Sequence, residues 1–221
     1  MKKLSFMILF AFLATAIFAQ DETKNSAPEH MNTLFGNGKK TTVGWFVGPS
    51  VAYTQFSGDH AVLAGIQGGM IINHHLSVGL AVIGLANSDY LTYNHFVDST
   101  DVRLEGGYGG LLLEYTFFPK SVVHFSIPVL IGGGQFSYVD KDKTGHWDNE
   151  AGEWDSDHRT IDKDAIFVVE PGIRAEVNVL KFMRFGIGVT YRYTPDLDLM
   201  KTDKAFLNSF TAGATLTFGK F

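Results

Sequence analysis

Five ionisable residues, Glu114, Glu170, Arg174, Glu176 and Arg192, are the first candidates for chemistry in this chain. Each lies on the non-apolar parity of a segment in which apolar and small or polar residues alternate. Carboxylates and guanidinium groups collected on one enclosed face must pair, because a buried charge without a partner is costly. The set therefore reads either as a charge gate or proton-responsive lining, or as a structural network that fills a closed interior.

The acidic stretch 140–164 is the second candidate. Asp140, Asp142, Thr144, Gly145 and Asp148 have the spacing of positions one, three, five, six and nine of a calcium loop. Ala151 stands where that loop carries a bidentate glutamate, with Glu150 and Glu153 on either side. Without calcium the stretch is a solvated acidic surface whose Trp147 and Trp154 suit recognition of a partner. His124 and Ser126 form a His-x-Ser pair on one face of an extended segment. The pair is similar to part of the site of outer-membrane lipid A deacylases, and a histidine beside a serine can generate a nucleophile. No acidic partner for it is evident in the sequence. His74 and His75 are adjacent and point to opposite faces of an extended chain, so they do not chelate together. Gly106, Gly107, Gly109 and Gly110 lead into no helix and so form no phosphate cradle.

The elements that position these groups are read from period two. Phe185, Ile187, Val189, Tyr191 and Tyr193 share one parity, and Arg184, Gly186, Gly188, Thr190 and Arg192 the other. Phe210, Ala212, Ala214, Leu216 and Phe218 oppose Thr211, Gly213, Thr215, Thr217 and Gly219 in the same way. Such runs approach the ~9 to 11 residues with which a tilted strand crosses a bilayer. Eight are predicted, at 42–56, 61–72, 76–86, 102–118, 124–139, 165–179, 184–194 and 205–218. The second, fourth and sixth connections are tight, while the third, fifth and seventh are long, as in a barrel with short periplasmic turns and long outer loops. Trp45, Val47, Val51 and Tyr53 are expected to face lipid, as are Leu76, Val78, Leu80 and Val82, and Leu111, Leu113, Tyr115 and Phe117. Aromatics near strand ends, including Trp45, Tyr53, Phe125, Tyr193 and Phe218, suit the two interfacial girdles. A soluble lipocalin-like barrel would instead turn its apolar face inward.

At the start of the chain Lys2 and Lys3 precede the apolar run 4–18, and Ala19 offers a small-residue cleavage site. Residues 1–19 read as a signal peptide, 20–41 as a flexible periplasmic leader and 42–221 as the barrel. The chain contains no cysteine, which excludes disulfides, thiol catalysis and cysteine-based zinc sites. A net charge of −5 gives no reason to expect nucleic acid. No motif requires a cofactor, and calcium at the acidic stretch is the one candidate.

The segment 170–193, EPGIRAEVNVLKFMRFGIGVTYRY, resembles the penultimate hairpin of a broad family of small Gram-negative outer-membrane barrel proteins. The whole region after the leader is similar to barrels of the OmpA/OmpX type. The resemblance implies an all-β fold, an eight-stranded antiparallel up-and-down transmembrane β-barrel in the outer membrane, with no catalytic residues. It also implies outer-membrane lipid and, through the C-terminal strand, the barrel-assembly machinery as partners. Phe221 is out of step with Phe218 and Leu216, where many such barrels keep the terminal aromatic on the lipid-facing parity. The sequence reading is a barrel with a filled polar lumen and a structural or surface-interaction role through its outer loops. A narrow pore or carrier for small solutes is the alternative, and a lipid-modifying enzyme stands behind both.

Overall fold

The computed structural model describes residues 41–88, 92–93, 102–140, 146–148, 153–155, 160–195 and 197–221, with the backbone alone at 92–93, 146–148 and 153–155. The chain divides into two units, Met1–Lys40 and Thr41–Phe221. The signal peptide and most of the leader predicted from sequence lie outside the described residues.

Thr41–Phe221 is a closed antiparallel ring. Its strands are β1 (Val43–Phe56), β2 (Asp59–Ile72), β3 (Leu76–Leu85), β5 (Val102–Phe117), β6 (Val123–Asp140), β9 (Thr160–Leu180), β10 (Met183–Arg192) and β11 (Ser209–Lys220). Each pairs with its neighbour in sequence, and β11 returns to β1, where Trp45 meets Lys220 and Thr54 meets Thr211. Three short strands lie on the long connections: β4 (Thr92–Tyr93) extends the β5 edge, and β7 (His146–Asp148) and β8 (Glu153–Asp155) form a hairpin in which Trp147 pairs with Trp154 in register.

Closing the sheet removes every edge and satisfies the backbone ladder within the ring, which is what a β-structure needs in order to sit in hydrocarbon. The side chains follow from that. Trp45, Val47, Ile66, Met70, Leu80, Val82, Ile173, Ile187 and Phe210 face out and are exposed, while their sequence neighbours turn inward. The expected lipid-facing parity of β1, β3 and β5 is the one observed.

The tight β2–β3, β5–β6 and β9–β10 turns lie at one end, called here the turn end, together with the start of β1 and the end of β11. At the opposite, loop end, Ser57 and Gly58 link β1 to β2 with φ of 52° and 104°, the two positive values that a two-residue hairpin of matching twist demands. Two boundaries differ from the sequence reading by more than two residues. β9 begins at Thr160 rather than Ala165, because it and β6 run together well past the rim. β11 begins at Ser209 rather than Ala205, because 205–207 turn into the barrel mouth instead of joining the wall. The β6–β9 ladder is interrupted where Pro128 and Pro171, which have no N–H to give, stand on the facing strands.

Candidate functional site

The inward side chains divide the lumen into two regions. Toward the loop end Phe56, Leu63, Leu104, Phe136, Ile166 and Val168 form an apolar core. Leu197, Leu199, Phe206 and Leu207 from the β10–β11 connection are buried with them, at 1, 4, 8 and 0 % exposure. Phe206 stacks on Phe56 with ring centroids 5.8 Å apart. This segment, 197–207, is a lid. Asp164 accepts a hydrogen bond from the Asp198 N–H at 2.8 Å and Asp162 one from the Met200 N–H at 2.5 Å, so two inward carboxylates of β9 hold it down. Asn208 closes the hinge by accepting from both the N–H and the hydroxyl of Thr194. The lumen expected to be polar throughout is therefore polar only below this core. The sequence signal was the apolar inward residues of β5, β6 and β9, which alternation alone assigns to a face without saying what fills it.

The five charged residues singled out from the sequence do face inward, and they separate into two clusters. In the lower one, toward the turn end, Arg174 Nη1 donates to Glu114 Oε2 at 2.8 Å and lies 3.6 Å from Glu176 Oε1. Glu176 is also 3.0 Å from Nε2 of the fully buried His124. Arg184, which shares the inward parity, donates to Asn178 at 2.9 Å and lies over the ring of Phe221 at 3.8 Å. Phe221 thus continues the inward parity of β11 and sits in the turn-side mouth, the physical meaning of its being out of step with Phe218.

In the upper cluster Glu170 accepts from Tyr108 at 2.6 Å and from Thr190 at 2.5 Å. Arg192 is completely buried and does not reach Glu170 directly. It donates to the Tyr108 hydroxyl at 3.2 Å, to Thr54 at 3.3 Å and to the Leu207 carbonyl of the lid at 2.9 Å, and it lies 4.9 Å from the Phe56 ring. Tyr108 therefore connects the two charges. Between the clusters is a cavity of about 90 Å³ bordered by Gln67, Tyr108, Glu170, Arg174, Thr211 and Thr215. The Thr211 and Thr215 hydroxyls are buried there without a protein partner. Among the described residues deep in the lumen, the arginines Arg174, Arg184 and Arg192 match the glutamates Glu114, Glu170 and Glu176 in number.

The acidic partner that the His-x-Ser pair lacked in sequence is Glu176, which the β6–β9 register sets opposite His124. A nucleophile still does not result. The Ser126 hydroxyl and His124 Nδ1 each lack a protein partner and so are not joined, and both residues are nearly inaccessible. Of the calcium candidates, Asp142 and Thr144 lie outside the described residues. Asp140 ends β6 opposite Val102, and Asp148 belongs to β7. Trp147 and Trp154 are described by their backbone pairing alone.

No family model matches the chain, and no curated protein matches it. Among solved structures, the crystal structure of Neisserial surface protein A is similar over 83 % of this chain and 100 % of that one, with 15 % identity and a TM-score of 0.50. Ail, the attachment invasion locus protein of Yersinia pestis, matches over 80 % of this chain and 95 % of its own at 10 % identity and a TM-score of 0.42. The outer membrane protein OprG from Pseudomonas aeruginosa matches over 79 % and 95 % at 9 % identity and a TM-score of 0.40. With its closed ring, apolar exterior and paired interior charges, the chain has the fold of the small eight-stranded β-barrels of the bacterial outer membrane.

Proposed function

We propose that the protein is a closed barrel whose lumen is structural and whose function, recognition at the cell surface, resides in the outer loops. The turn end then faces the periplasm, as short turns and termini do in such barrels. The supporting observation is the lid: Leu197, Leu199, Phe206 and Leu207 fill the loop-side mouth with apolar side chains, and beneath them each deep charge among the described residues has a partner. A solute would have to displace that core and then break the Arg174 and Arg192 networks. Eight strands leave an interior that side chains just fill, which agrees with a scaffold rather than a channel. Recognition is left to the connections of the loop end, above all the acidic β6–β9 connection with its β7–β8 hairpin.

Reconstitution in planar bilayers tests the closed lumen. Wild-type protein is expected to give no steady conductance, and a Phe206→Asp/Leu207→Asp variant, which places charges in the apolar core, to give measurable current. Steady conductance of the wild-type barrel would instead make it the narrow pore. Deleting 141–159 is expected to abolish binding to intact host or bacterial surfaces while the barrel still folds, and a deletion that leaves surface binding intact removes the recognition reading.

A further inference from the structure

We infer that the turn end of the barrel is a binding rim for anionic phospholipid of the leaflet it faces. The inference rests on the chain spanning a bilayer and is independent of what the outer loops recognise.

The charges of the barrel unit are separated by end. Apart from Glu114, Glu170 and Glu176 in the lumen, every carboxylate side chain from Asp59 to Asp203 among the described residues belongs to the loop-end connections or to the loop-side ends of the strands. Among the described residues the exterior of the turn end has no acidic side chain. It carries instead Lys120 in the β5–β6 turn, Lys181 in the β9–β10 turn and Lys220 at the end of β11, all exposed. None of the three takes part in an ion pair among the described residues. Lys120 and Lys181 border one open cleft, together with His74, Asn178, Leu180 and Phe221.

Apolar side chains surround these cations. Phe118 is 72 % exposed, Val122 70 % and Phe182 55 %, each within two residues of a lysine. Phe118 holds its ring outward from a φ of 52°, a backbone conformation that a bulky residue rarely adopts. Ammonium groups beside an exposed aromatic fringe match an amphipathic anion: the phosphate meets the lysines, and the acyl chains run along Phe118, Val122 and Phe182. A soluble polyanion would use the lysines and leave the fringe in water.

The test uses the folded full chain in zwitterionic detergent, titrated with short-chain phosphatidylglycerol and, separately, with phosphatidylcholine of the same chain length, and followed by amide NMR shifts. Phosphatidylglycerol is expected to move the amides of 118–122, 179–183 and 218–221 and to bind more weakly in high salt. At about fivefold per lysine, Lys120→Gln/Lys181→Gln/Lys220→Gln should weaken it on the order of 100-fold, whereas Lys163→Gln/Lys204→Gln at the loop end should not change it. Equal response to the two lipids, full affinity in the triple variant, shifts confined to the loop end, or inorganic phosphate binding as tightly as the lipid would each overturn the proposal. The salt and lipid comparisons on wild-type protein need no variant to fold. Heat-modifiable electrophoretic mobility reports the barrel itself, so loss of the barrel is distinguished from loss of lipid selectivity.

Discussion

Arg174 stands between two buried carboxylates, and the consequences of removing it differ from those of removing either one. Arg174→Gln leaves Glu114 and Glu176 enclosed with one shared cation fewer. Breaking a buried ion pair in this way costs about 3 to 5 kcal/mol. Glu114→Gln is expected to cost less, because Arg174 keeps Glu176, and the double variant should recover part of the loss. Urea unfolding of the refolded barrel measures all three, and equal losses in the two single variants would mean that the charges do not act as a network. Period two assigns Glu114, Arg174 and Glu176 to one face, but which of them meet depends on stagger between strands far apart in sequence. His124 and Glu176 are separated by 52 residues, and their contact is fixed by a β6–β9 register that shifts at Tyr138 and Val139 and breaks between Ser126↔Arg174 and Val129↔Pro171. Nothing in the sequence near His124 announces Glu176. Arg184 carried the same parity signal as Arg174 and belongs to the same cluster, so counting every inward charge would have found it.

At the scale of the element, glycine decides how closely β5 and β6 approach. A Cβ on Gly134 would lie 2.0 Å from the Gly107 carbonyl oxygen and 2.5 Å from the Tyr108 Cα, both backbone atoms that cannot rotate away. Gly134→Ala must therefore part the two strands at Tyr108, the residue that joins Glu170 to Arg192. Overpacking of this kind costs about 1 to 3 kcal/mol. Gly84→Ala, with nothing within 4 Å of its added carbon, should stay within about 0.5 kcal/mol of wild type in the same unfolding assay. Matching losses would remove the close-approach account. In sequence Gly106, Gly107, Gly109 and Gly110 show only that they lead into no helix, and a glycine inside a strand marks a close approach of backbones without saying which strand approaches. The lid was not legible in sequence. Ala205, Phe206 and Leu207 are an apolar run just before β11, and only the closed ring shows that Phe206 and Leu207 leave the wall for the mouth.

The unit Thr41–Phe221 is an inverted soluble barrel, with apolar side chains on the outer surface of the wall and charge confined to the lumen and the ends. The alternation and the loop asymmetry made this architecture legible from sequence, because both are direct consequences of a strand having lipid on one side. Leu80, 65 % exposed and halfway along β3, tests it at one position. If the exterior faces hydrocarbon, Leu80→Arg places a guanidinium near the bilayer midplane and should destabilise the barrel by about 2 to 4 kcal/mol in liposomes. Thr160→Arg, at the loop-side start of β9 and beyond the apolar belt, should cost next to nothing. On a barrel surrounded by water, an exposed leucine has no hydrocarbon to leave, and both substitutions would fall within about 0.5 kcal/mol of wild type. Unfolding titrations of the two variants in phospholipid vesicles separate the cases, because the cost tracks depth in the bilayer only if the ring of exposed Leu80, Val82, Ile66 and Ile187 is the surface that lipid covers.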